Sequence, residues 1–260
     1  MPETIVMIHG MWGGGWNWEN FKQFFEGKGY HCLAPTLHFH DVDPKAPPHP
    51  RLGNTSLLDY AEDLEKEIRK LDTLPILMGH SMGGLLTQIL GSRGLAKALV
   101  LLAPAPPLGI TALKPSVIRG FISLLLKWGF WRKPMRQTFA EAVYSTMNLL
   151  TEEEQKRLYD RYVYESGRAA YEMGLPSLDR KRAANVEASD ITCPVLVIVG
   201  SQDRMTPASV VRKIAQKYEA VATYRELPDH AHWLLVEPGW QEIAEGIADW
   251  LEQVLCKKEV

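Results

Sequence analysis

Along the 260-residue chain, the residue types that could do covalent chemistry occur in a telling order: a serine framed by glycines, then an aspartate, then a histidine. Gly79-His80-Ser81-Met82-Gly83-Gly84 follows the apolar run Pro75-Ile76-Leu77-Met78 and precedes a helical pattern from Leu85 to Leu90. G-x-S-x-G between a strand and a helix marks a sharp turn that lifts the serine hydroxyl clear of a sheet. Glycines on both sides remove side chains that would collide there. The helix behind the turn would aim N–H groups and the positive end of its dipole at the same point. A hydroxyl is a weak nucleophile, so it needs a base, and the base needs an acid to orient it.

For such a turn the partners are expected in the order serine, acid, histidine. Asp203 lies in Gly200-Ser201-Gln202-Asp203, just past the apolar run Pro194–Val199 and thus at the end of a strand where catalytic groups gather. Asp190 precedes that strand, at the wrong end, and Leu102-Ala103-Pro104 offers no acid. Two histidines follow the last strand, in Asp229-His230-Ala231-His232-Trp233. His232, five residues before Glu237-Pro238, is the expected base, and His230 a neighbouring loop residue. Asp229 is too near in sequence to orient it.

Attack on a carbonyl also needs two N–H donors for the oxyanion. Ile8-His9-Gly10-Met11-Trp12-Gly13-Gly14-Gly15 ends the first apolar run, so the N–H groups of Met82 and Met11 are the expected pair. The same glycine loop lacks G-K-[ST] and G-x-G-x-x-G, which argues against a phosphate cradle.

The elements that must position these groups alternate between short apolar runs and amphipathic helical patterns, the mark of a parallel sheet flanked by helices. The expected strands are 4–9, 30–35, 75–79, 98–102, 194–199 and 222–227. The expected helices are 18–27, 56–71, 82–92, 207–218 and 240–255. The alternation stops at Pro104. Residues 104–190 are expected to form a helical cap, or lid, inserted into an α/β core made of 1–103 and 191–260. That cap holds an apolar helix at 116–128, another near 135–147, and a charged one opened by the Thr151/Glu154 capping box. Candidate walls of an apolar pocket are Trp12, Leu108, Phe121, Leu125 and Trp233, each of which could equally be core.

A near balance of 29 basic and 31 acidic residues, with no basic stripe, argues against nucleic acid as a partner. Cys32, Cys193 and Cys256 are widely spaced and form no disulfide or zinc pattern. His38, His40 and His49 with Asp41 and Asp43 lie in a proline-rich stretch that no helix or strand would hold in ligand geometry. The default there is a solvated loop without metal. The stretch 117–131 is too short and polar to span a bilayer, the N-terminus shows no leader, and the cytoplasm is the expected compartment.

Taken together, His9-Gly10-x-x-Gly13, Gly79-x-Ser81-x-Gly83, Gly200-x-x-Asp203 and His232-x-x-x-x-Glu237-Pro238 make the chain resemble the α/β-hydrolase superfamily over nearly its whole length. The early first strand resembles the compact branch of hydroxynitrile lyases, plant methylesterases and small bacterial esterases. Serine at 81 departs from the dehalogenases, which place aspartate there. Trp233 stands where the lyases carry lysine. The resemblance implies hydrolysis of small-molecule esters through an acyl-serine, with no cofactor. Acyl transfer, perhydrolysis or carbon–carbon bond hydrolysis on the same triad stays open, as does a slow-turnover ligand sensor.

Overall fold

The computed structural model describes residues 2–256. Six strands form the main sheet: β1 (Thr4–Ile8), β2 (His31–Leu33), β3 (Ile76–His80), β4 (Ala98–Leu102), β7 (Val195–Gly200) and β8 (Ala222–Leu227). Their order is β2-β1-β3-β4-β7-β8, and every neighbouring pair is parallel. The α/β fold, with its sheet of about six strands between helices, is therefore as the alternating pattern implied.

Why these runs form strands is visible in where their side chains go. In β1, Ile5 and Met7 enter one core while Val6 and Ile8 enter the other. β4 and β7 divide their side chains in the same way, so a continuous run of apolar residues feeds two cores at once. The first core is covered by α1 (Glu19–Gly27) and α10 (Trp240–Cys256). The second is covered by α2 (Leu57–Ile68), α3 (Met82–Ser92) and α9 (Ala208–Lys217). Helix α2 opens on a capping box: Ser56 Oγ accepts from Leu58 N at 3.2 Å, and Asp59 accepts from Ser56 N at 2.8 Å.

Between β4 and β7 the chain runs through α4 (Pro115–Gly120), α5 (Ile122–Leu125), β5 (Pro134–Met135), α6 (Phe139–Ser145), α7 (Glu152–Asp160), β6 (Glu165–Ser166) and α8 (Gly167–Gly174). The apolar helix expected at 116–128 is broken at Phe121 and stops at Leu125. The pattern near 135–147 shrinks to α6, capped by Thr138 and Glu141. The Thr151/Glu154 capping box forms as read. Helix α8 and the β5–β6 ladder were not expected, because two-residue strands carry no periodicity.

This segment is fastened to the sheet domain by buried polar groups. Glu172 accepts from Ser56 Oγ and Leu57 N at 2.8 Å each, and from Arg168 Nε at 2.6 Å. Glu165 accepts from the Tyr60 hydroxyl at 2.7 Å and pairs with His40 Nε2 at 3.0 Å. His40 is thus fully enclosed, which corrects the expectation of a solvated loop at that residue. Burial opposes its charge, but the Glu165 carboxylate outweighs that and holds its pKa above the usual value.

Candidate active site

The sheet changes direction between β1 and β3: β2 lies to one side of β1, and every later strand lies to the other. In open parallel sheets the crevice outside the carboxyl ends at such a point is where ligands bind. Ile8 pairs with Gly79, so the loops leaving β1 and β3 emerge side by side. One loop carries Met11, and the other carries Ser81.

Ser81 stands between β3 and α3 with φ 56° and ψ −121°, a conformation that side chains other than glycine rarely adopt. Two neighbours hold it there. Ser81 N donates to Leu102 O at 3.0 Å, and Ala105 N donates to Ser81 O at 2.9 Å. Holding such a residue costs on the order of 1–3 kcal/mol, and it persists because the frame around it is rigid. A Cβ on Gly83 would collide with the Ile8 carbonyl, so glycine there lets α3 lie directly against the end of β1.

Asp203 sits just beyond β7 and is almost fully buried. Its Oδ1 accepts from Met205 N and Thr206 N at 2.8 Å each. Its Oδ2 accepts from the Thr206 hydroxyl and from His232 Nδ1, also at 2.8 Å. These donors fix the carboxylate, and the carboxylate fixes the ring. With the proton on Nδ1, the His232 Nε2 lone pair is free to act as a base.

The loop carrying His232 is pinned from two sides. Glu237, buried, accepts from Ala231 N at 2.8 Å and from Trp233 N at 2.9 Å. Burial raises its pKa. A Cβ on Gly200 would strike the His230 carbonyl, so that glycine lets the acid loop and the histidine loop touch. Gln202 N donates to the same His230 carbonyl at 2.9 Å. His230 itself pairs with Glu237 at 3.3 Å, whereas His232 is the histidine that meets Asp203.

His80 adds a contact that sequence reading missed. Its Nε2–H donates to the His232 carbonyl at 2.8 Å, and its ring lies 4.8 Å from that of His232. Burial, with His232 adding to it, pushes the His80 pKa down to about 3, so the ring is neutral and its single proton serves that bond. Thr206 was also missed. Its signal was its place just after Asp203, where an aspartate carboxylate commonly accepts from the backbone of the turn that follows it.

Two cavities flank Ser81. The larger, about 310 Å³, is lined almost entirely by apolar groups and includes Met11, Met82, Phe121 and Leu125. The smaller, about 20 Å³, is lined by Ser81, His232, Trp12, Trp233 and Tyr162 among others. Phe121 and Leu125 therefore occupy the wall expected of them. Trp12 and Trp233 are buried beside the smaller cavity, where Trp12 stacks on Tyr162 at 6.1 Å and Trp233 on His80 at 5.6 Å. Leu108 lines neither cavity. Its N–H donates to Ala184 O at 2.8 Å on the loop after β4, away from the residues that line the two cavities.

The sequence profile of the α/β hydrolase family matches residues 5–245. The chain belongs to the α/β-hydrolase family. Solved structures of similar fold include a monoacylglycerol lipase from Paleococcus ferrophilus, at 23% identity and TM-score 0.71, covering 96% of this chain and 95% of that one. A pyrethroid hydrolase from Sphingobium faniae has 18% identity and TM-score 0.72, covering 97% and 98%. A methylesterase from Arabidopsis has 13% identity and TM-score 0.69, covering 95% and 98%. No curated protein matches significantly. In this α/β hydrolase, as across the sheet positions just described, the chemistry-bearing loops all leave the carboxyl edge of the strands.

Proposed function

We propose that this α/β hydrolase cleaves carboxylic esters of apolar small molecules through an acyl-serine intermediate. The observation that carries the reading is Ser81 standing at the junction of a largely apolar cavity of about 310 Å³ and a small one containing His232. Apolar pockets with a few convergent polar groups are the usual form of small-molecule sites. The ester-cleaving activities named for the lipase, the pyrethroid hydrolase and the methylesterase of similar fold support the same reading.

In the proposed reaction His232 Nε2 takes the Ser81 proton as the oxygen attacks the ester carbonyl, and Asp203 stabilises the imidazolium. The N–H groups of Met11 and Met82 hold the oxyanion. Met82 is the first residue of α3, so its N–H has no partner within the helix. The imidazolium then protonates the departing alcohol. The smaller cavity has room for a single water beside His232, which the same ring activates to release the acid. The acyl group occupies the larger cavity, under residues 104–190 acting as the lid.

Hydrolysis of p-nitrophenyl esters of increasing acyl length tests this. The specificity constant is expected to rise by up to about fourfold per added methylene until the cavity is full, because each buried methylene contributes about 0.8 kcal/mol. Ser81→Ala is expected to lower kcat by at least about a thousandfold with the fold intact. Activity that survives this substitution would refute the assignment.

A further inference from the structure

The mouth of the larger cavity opens onto an unusual surface. Among the described residues ten large apolar side chains are exposed, and six of them lie between 113 and 128: Leu113, Ile118, Ile122, Leu125, Leu126 and Trp128. Leu126 and Trp128 are 79% and 86% exposed, far beyond what packing on their own domain would leave. Ile118, Ile122 and Leu125 recur at the four- and three-residue spacings of one helical face, across the break between α4 and α5. Leu113, Ile118 and Leu125 also line the cavity, so the exposed face and the cavity wall are continuous.

Charge on the same stretch is one-sided. Residues 104–140 contain Lys114, Arg119, Lys127, Arg132, Lys133 and Arg136 and no acidic residue, in a chain that has 31 acidic residues overall. Lys114, Arg119, Lys127, Arg132 and Lys133 are exposed, and along the chain they alternate with or flank the exposed apolar residues. Glu141, on the neighbouring helix α6, is buried and already accepts from Ser123 and Thr138.

We propose that this face of α4 and α5, with Trp128 at its tip, docks on an anionic lipid surface and sets the cavity mouth against it. Exposed leucine, isoleucine and tryptophan ringed by lysine and arginine form the composition that settles into the boundary between headgroups and acyl chains. Each cation brought close to an anionic leaflet contributes about a fivefold gain in partitioning. A second copy of the chain is a poor occupant, because a face-to-face pair would set one cationic rim against another. Delivery of lipid-dissolved esters to Ser81 rests on the function proposed above; the docking itself does not.

Flotation with vesicles of phosphatidylglycerol in phosphatidylcholine, compared with phosphatidylcholine alone, tests the docking without any turnover. Wild type and Ser81→Ala are both expected to float with the anionic vesicles only, and raised salt is expected to release them. The double variants Leu126→Ser with Trp128→Ser, and Lys127→Glu with Arg132→Glu, are each expected to bind at least about tenfold more weakly. Neither pair touches the groups around Ser81, so hydrolysis of soluble p-nitrophenyl acetate should be unchanged in both. Absence of wild-type flotation, or flotation undiminished in both double variants, would overturn the docking. Self-association by sedimentation equilibrium that both double variants abolish would give the face to a second copy and overturn it as well.

Discussion

At the scale of single residues, the arrangement around Ser81 depends on side chains that touch no substrate. His80 occupies the variable position before the serine, where sequence alone gave it no role, yet its Nε2–H ties down the backbone of His232. His80→Ala would leave that carbonyl without its partner and the loop less constrained. The expected result is a fall in kcat of about tenfold with little change in KM, since a misplaced base costs transition-state stabilisation more than ground-state binding. His80→Gln, which can still donate to the carbonyl, is expected to recover most of the loss. Steady-state kinetics on the two variants checks both statements. Loss of the Thr206 hydroxyl in Thr206→Val removes one donor to Asp203 and is expected to lower kcat by several-fold, by the same measurement.

At the scale of elements, close approach decides which glycines matter. Gly200→Ala would force the acid loop away from the His230 carbonyl, and the expected cost is more than about 3 kcal/mol together with most of the activity. Gly27, in the last turn of α1, has open space where a Cβ would go, so Gly27→Ala is expected to be neutral or to stabilise by a few tenths of a kcal/mol. Thermal unfolding and ester hydrolysis on the pair check the contrast. The same distinction explains what was legible in the chain. Strands buried on both faces announce themselves as unbroken apolar runs, and β4 falls on the expected residues, 98–102. The edge strand β8 also falls on the expected 222–227, although it carries Arg225 and Glu226 and none of its residues is fully buried. The order Ser81, Asp203, His232 was readable because each follows an expected strand, β3, β7 or β8. What stayed hidden depends on contacts between distant segments. His40 was placed in a solvated loop because nothing local reveals that Glu165, 125 residues away, encloses it. The break at Phe121 and the burial of Glu172 under Ser56 arise from packing of the same non-local kind.

At the scale of the whole molecule, buried histidines make stability depend on pH. Burial holds both His9 and His80 at a pKa of about 3, well below an unfolded histidine. As pH falls below the unfolded value, the unfolded chain takes up protons that the folded one refuses, so stability declines. His40, held above its usual value against burial by Glu165, acts in the opposite sense: its contribution fades as pH rises through its folded pKa. Two groups oppose one, and a net loss on mild acidification is expected. His80→Gln isolates one of them: between about pH 7.5 and about pH 5.5, wild type should lose about 1–2 kcal/mol more than the variant. Urea unfolding at the two pH values measures the difference, and equal losses would show that His80 does not stay neutral in the fold.

One hydroxyl made reactive by one imidazole and one carboxylate underlies the whole proposal. Covalent labelling with a fluorophosphonate, followed by peptide mass spectrometry, asks for that hydroxyl directly. The adduct should sit on Ser81, form slowly or not at all in His232→Ala and Asp203→Ala, and vanish in Ser81→Ala. A protein that folds normally yet stays unlabelled at Ser81, or labels there just as fast without His232, would contradict the site.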